Sequence, residues 1–349
     1  MKDPRPLPAP PGARHPSWRV LLLFDLFLLA LLILSTRLAT FLHEAAGHAA
    51  AAALFGGQIR GVRLSLFGGG HAYSHFETAL PLPGIFLVPF SGVLINLIFG
   101  FIALRYVRRL SRQPAWVLFF SLFGMVNVLG GLSYACLGLY YRIGDPAAWM
   151  RGTPWEEGWL WLPFLAASPL AAHVGVRSFL TPIRAWTRGT GFLERVTLLA
   201  LTLGITTCAY AGLYGLTGQR SVAMETASLA HARAVEAVRS QKKAELLRRL
   251  REAFPDLSQE EAARLVDRTP IHIRPEEVPG APPLMPVLAL CQILGALTAL
   301  RGMHRIPSSS DSWFTSRRAA LACLLAAAVL AFLASTGGWI WKSGIHNMP

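Results

Sequence analysis

Hydrophobic positions in this chain fall into long unbroken runs, not into the alternating or one-faced patterns of soluble strands and helices. A helix needs about 20 apolar residues to cross the ~30 Å hydrocarbon layer of a bilayer. Six runs of that order, bounded by Arg, Pro or Gly, predict spanning helices at about 19–38, 83–104, 115–140, 158–178, 196–216 and 319–341. A shorter and weaker run at 283–300 makes a seventh. The first run is too long for a signal-peptide core and lacks a clear small-residue cleavage site. It reads as a retained helix behind a Pro-rich, basic tail over residues 1–18. Residues 39–56 then form a non-crossing or re-entrant continuation of that helix, and the alternating VRLSLF with its following glycines predicts a β-hairpin at about 58–77.

One segment breaks the apolar pattern. Residues 217–282 hold 11 Lys and Arg and 10 Asp and Glu, with helical periodicity from about Ala223 to Phe254, a second short helix after a cap region at Asp256–Ser258, and a Pro-rich exit. They read as a soluble helical insert with a solvated charged face. The expected fold is an all-α polytopic membrane protein of about seven transmembrane helices, with a small membrane-associated hairpin and this insert. Its expected organisation is a tail (1–18), a membrane core (19–150), additional transmembrane helices (151–216), the insert (217–282) and C-terminal transmembrane helices (283–349).

Composition agrees. With 53% hydrophobic and 15% charged residues in 349, and mean hydropathy +0.43, too few charges exist to cover a soluble enzyme. The net charge of +14 would suggest nucleic acid in a soluble chain, but its distribution points elsewhere. The tail up to Arg19, the loop with Arg105, Arg108, Arg109 and Arg112, the loop with Arg177, Arg184, Arg188 and Arg195, and the loop with Arg301, Arg305, Arg317 and Arg318 alternate with poorer loops. The positive-inside rule puts the N-terminus in the cytoplasm and the C-terminus outside. The charge is a topology signal, and no nucleic-acid partner is expected. Cys136, Cys208, Cys291 and Cys323 are widely spaced in apolar runs and read as small buried hydrophobes, not as a thiolate metal site.

Candidate chemistry concentrates in RLATFLHEAAGHAAAAALFGG, where His43, Glu44 and His48 lie in an alanine-rich helix. Ionisable groups at membrane depth mark functional sites. The common zinc motif spaces its histidines four apart so that both imidazoles share a helix face. Here they are five apart, which on a regular helix turns the second ring about 140° from the first. A π-bulge would restore a shared face, with Gly47 able to tolerate the distortion; alternatively Glu44 and His48 would bind metal with His43 outside the ligand set. Asp145, in YYRIGDPAAW, is the candidate third ligand, because the expected topology returns it to the same outer face as His43. Asp25 reads as a polar contact between helices, and His71 and His75 as hairpin residues with a lesser claim to metal. Asn96 and Asn127 lie inside apolar spans, where an amide demands a partner across helices or at an active-site backbone.

Taken together, LATFLHEAAGH, the Gly-Gly turn and hairpin of ALFGGQIRGVRLSLFGGG, SGVLINLIFG, and Asn127 with GDPAAW resemble the site-2 protease family of intramembrane zinc metalloproteases, over residues 36–150. SGVLINLIFG is similar to that family's Gly-Pro-x-x-Asn span, with Val93 in place of the proline, and Pro146 follows Asp145 where the family has Gly. HEAAGH is similar to the HELLGH motif of a soluble zinc dipeptidyl peptidase family. The resemblance implies Zn2+ held by His43, His48 and Asp145, Glu44 as the base that deprotonates the attacking water, and Asn127 as a substrate or oxyanion contact. It implies a metalloendopeptidase acting in the bilayer on membrane-protein or membrane-anchored peptide substrates, with the hairpin offering an edge strand to an unwound substrate. Two other readings remain open: a non-catalytic membrane scaffold with a degenerate metal motif, and a metal or small-solute transporter.

Overall fold

The computed structural model describes residues 18–107, 109–110, 114–142, 144–150, 159–183, 192–216, 222–269, 271, 284–301 and 316–343. The Pro-rich tail, the Pro-rich exit of the insert and several of the loop arginines lie outside the described residues.

The first apolar run forms α1 (Trp18–Phe41), which continues without a break through a π-helical segment (Leu42–Ala49) into α2 (Ala50–Leu54). The apolar stretch from Leu21 to Leu54 is thus a single 34-residue rod, about 50 Å long at 1.5 Å per residue, with the polar motif near its end. A right-about turn through Gly56, at φ +80°, leads into β1 (Gln58–Leu64) and β2 (Gly70–His75), the expected hairpin. Then follow α3 (Leu82–Val107), α4 (Pro114–Tyr141), α5 (Gly144–Met150), α6 (Leu162–Ile183), α7 (Phe192–Leu216), α8 (Val222–Ala253), α9 (Gln259–Arg268), α10 (Leu284–Arg301), α11 (Ser316–Ser335) and β3 (Trp339–Lys342).

Five helices among the described residues are long and apolar enough to cross a membrane: the α1 rod, α3, α4, α7 and α10. The other two expected spans are helical but do not meet that standard. In α6 the apolar pattern is diluted by Ser168, His173 and Arg177. In α11 the apolar helix covers only Ala320–Ser335, and the expected span to residue 341 is corrected. Gly337 and Gly338, both at positive φ, turn the chain out of the helix, and the next four residues add a strand to β1.

That strand changes the sheet. Its order is β2-β1-β3, antiparallel throughout, with Gln58 opposite His75 and Leu64 opposite Gly70 on one side of β1, and Val62 opposite Trp341 on the other. β1 is therefore internal, and among the described residues the free edges belong to β2 and β3. Val62 and Leu64 turn inward onto Ala49 and Leu333, seating the sheet on the helical motif and α11.

The main core draws buried residues from α1, α4, α6, α10 and α11, around Phe24, Leu28, Leu118, Phe179 and Leu300. α3 packs between the π-helical segment and α4, and α5 closes against both α3 and α4. The insert is the expected pair of helices: Ser258 and Glu261 form a capping box at the start of α9, and Lys243 of α8 bridges to Asp267 at 2.7 Å.

Candidate metal centre

The five-residue histidine spacing is resolved by the backbone. Residues Leu42–Ala49 are π-helical, and i to i+5 hydrogen bonding puts residues five apart on one face. The His43 and His48 rings meet edge to face with centroids 4.8 Å apart. Gly47 serves a different purpose from the one its freedom suggested. A Cβ there would stand 2.6 Å from the Cα of Gly92, so the glycine permits close approach of α3.

Asp145 reaches the pair from the first turn of α5. Its Oδ2 lies 3.1 Å from His48 Nε2 and 3.4 Å from His43 Nε2, and the two Nε2 atoms are 3.1 Å apart. In a tetrahedral site with ligand bonds of about 2.0–2.1 Å, neighbouring donors stand about 3.3–3.4 Å apart. The three atoms thus outline one face of such a tetrahedron, and His43, His48 and Asp145 form a group able to hold a metal ion.

Hydrogen bonding around the rings argues for a cation at the centre. His48 Nδ1 donates to the Val88 carbonyl at 2.8 Å, and since a carbonyl only accepts, the neutral ring turns its Nε2 lone pair toward Asp145. The Asn96 amide lies 3.1 Å from His43 Nδ1, and its Oδ1 is buried without another partner. An imidazole directing its Nε2 lone pair into the cluster donates from Nδ1, so this arrangement calls for the amide oxygen at that position. Three lone pairs then converge on one point. A single proton can bridge two of them; a metal ion serves all three.

Asp145 is suited to being the anionic member. Its Oδ2 accepts from the Tyr134 hydroxyl at 3.0 Å, and a hydrogen bond to the charged form favours the ionised carboxyl. Glu44 sits beside the group, only 5% exposed, and its carboxylate makes no hydrogen bond or ion pair among the described residues. β2 runs over it: a Cβ on Gly70 would come 2.8 Å from Glu44 Cγ. Across the cluster, a Cβ on Gly92 would stand 2.5 and 2.6 Å from the Nε2 atoms of His43 and His48, so that glycine keeps the space between the rings clear.

Of the residues singled out in the sequence, the structure brings together His43, Glu44, His48 and Asp145. It does not bring Asn127 into the group. That side chain is fully buried, donates to the Phe123 carbonyl one turn back in its own helix at 2.8 Å, and packs where α4 crosses Gly100 of α3. The amide that touches the cluster is Asn96. Asp25 is buried in α1 with one carboxylate oxygen unpartnered, and His71 and His75 are exposed on β2, outside the donor triangle.

Two contributors had different visibility. Asn96 carried a signal, an amide in an apolar run four residues after Gly92. Tyr134, whose hydroxyl contacts Asp145, carried none, because it is one of several tyrosines at the end of α4. Comparison with family models, curated proteins and solved structures returned no match.

Proposed function

We propose that the protein is an intramembrane zinc metalloendopeptidase of the site-2 protease type, which hydrolyses peptide bonds in or near the transmembrane segments of membrane-protein substrates. The observation that carries this reading is the donor triangle of His43, His48 and Asp145 beside an uncommitted Glu44, at the end of a membrane-length helix. Zinc at such a site polarises a carbonyl and acidifies water.

The chain's own residues supply the remaining steps. Val88 and Asn96 fix the imidazoles, and the π-helical backbone sets both on one face. Glu44 takes a proton from the water whose oxygen adds to the scissile carbonyl carbon; the C–N bond then breaks, and the proton passes to the leaving amine. A peptide bond inside a helix is shielded by its own hydrogen bonds, and the unpaired edge of β2, next to Glu44, can hold an unwound substrate backbone in extended form. The proposal places the chain in a bacterial inner membrane with its N-terminus in the cytoplasm.

Metal analysis and cleavage assays on the purified protein test it together. About one zinc per chain is expected, lost in His43→Ala and in His48→Ala, whereas Glu44→Gln keeps the metal and loses cleavage. A folded, metal-free wild-type protein would overturn the reading, as would full activity in Glu44→Gln.

A further inference from the structure

Asp145 needs more than a place in the sequence to act as a ligand, because it lies in the first turn of a short helix, next to Gly144 at positive φ. Gly144 takes φ +63°, and Arg142 two residues earlier takes φ +56°, both in the left-handed region. A carboxylate at such a turn has freedom in its side-chain rotation and in which oxygen it presents.

Both freedoms are removed by Tyr134, eleven residues earlier in α4. Its hydroxyl donates to Asp145 Oδ2 at 3.0 Å and accepts from the Asp145 backbone N–H at 3.1 Å. The same phenol therefore grips the main chain and the side chain of one residue. It also bears on the turn, since a Cβ on Gly144 would stand against the Tyr134 hydroxyl. The oxygen it grips is the one that faces both imidazoles. The ring is held in turn, edge-on to His43 with centroids 5.9 Å apart.

We propose that Tyr134 is the positioning residue of this centre. It locks Asp145 as a one-oxygen ligand aimed at the His43–His48 pair, and this inference rests on the metallocentre reading above. Groups that orient a metal ligand through a hydrogen bond typically change metal affinity by about 10–100-fold when removed. Gly144 is the accompanying requirement, because any side chain there would displace the hydroxyl from Asp145.

The test compares the full-length protein with Tyr134→Phe and with Tyr140→Phe, a tyrosine of the same helix that packs on Tyr141 and Trp161 outside the cluster. Zn2+ affinity is measured by competition with a chelator, and ligand geometry from the visible absorption of the Co2+-substituted protein. Expected for Tyr134→Phe is roughly 10–100-fold weaker Zn2+ binding and an altered Co2+ spectrum, with unchanged helix content and with Tyr140→Phe like the wild type. Wild-type affinity and an unchanged Co2+ spectrum in Tyr134→Phe would overturn the positioning role while leaving the metal centre standing. A wild-type protein that binds neither ion would remove the metal centre and this inference with it. Equal weakening in Tyr140→Phe would also overturn it, because the effect would then belong to the helix and not to the hydroxyl.

Discussion

Gly92 of α3 stands so close to His48 that a Cβ added to the glycine would lie 2.6 Å from the histidine's Nε2, and 2.5 Å from that of His43. Both ring nitrogens point at the space an alanine would fill. Gly92→Ala is therefore expected to lose most of its bound metal while keeping its helices, with an overpacking cost of about 1–3 kcal/mol. Metal content after gel filtration checks this; full occupancy in the variant would mean that the rings converge elsewhere.

Arg37 anchors the hairpin to the rod. It is buried, and its two terminal nitrogens donate to the carbonyls of Ser65 and Gly68, each at 2.6 Å. Hydrogen bonds from a charged donor contribute more than neutral ones, so Arg37→Met is expected to destabilise the docked hairpin by about 2–4 kcal/mol. Trypsin access at Arg60 and Arg63 reports it, and an equally protected hairpin would show that the loop is held by packing.

The order β2-β1-β3 leaves β2 as the free edge beside Glu44. Ser74→Pro on that strand removes a backbone donor and is expected to lower cleavage several-fold at unchanged zinc content. Cleavage at the wild-type rate would exclude β2 as the substrate-holding edge.

The insert responds to acid in a definite direction. Hydrogen bonds from Arg248 and then Arg249 pull the Glu245 pKa down to about 2, and hydrogen bonds from the Ser258 side chain and backbone lower that of Glu261. A carboxyl whose folded pKa lies below its unfolded value, about 4.3 for Glu, stabilises the fold above that value. The contribution is lost as pH falls toward the folded value. Amide exchange in α8 and α9, corrected for its intrinsic pH dependence, is therefore expected to quicken between about pH 4 and pH 2. Because these groups are exposed, the effect is small, and 1 M salt should weaken it further.

Much of this molecule was legible from local pattern. The apolar runs forecast α3, α4, α7 and α10, and the start of the rod that carries the motif. The charge balance of 217–282 forecast the insert helices, and the glycines of FGGG the hairpin. His43, Glu44 and His48 stood out because ionisable groups are costly in apolar surroundings, and Asp145 because the expected topology returned it to the same face. Where the local reading failed, a distant contact decided. WIWK looks like the end of an apolar span, but its backbone pairs with β1, some 280 residues earlier. Asn127 and Asn96 are the same residue type in similar runs, and only the crossing of α3 with the π-helical segment gives one of them to His43.

The sequence by itself determined the apolar lengths, the insert helices and the ionisable residues of the candidate metal centre, since these depend on hydropathy and on functional groups written into each position. It left open whether two histidines five apart could share a face. The tertiary structure decided that, together with the tautomer of His48, the choice of Asn96, the clasp of Tyr134 on Asp145 and the third strand of the sheet. Each of these depends on which backbone carbonyl, amide or hydroxyl another element brings within about 3 Å, and hydrogen-bond partners chosen by packing leave no periodic trace in the chain.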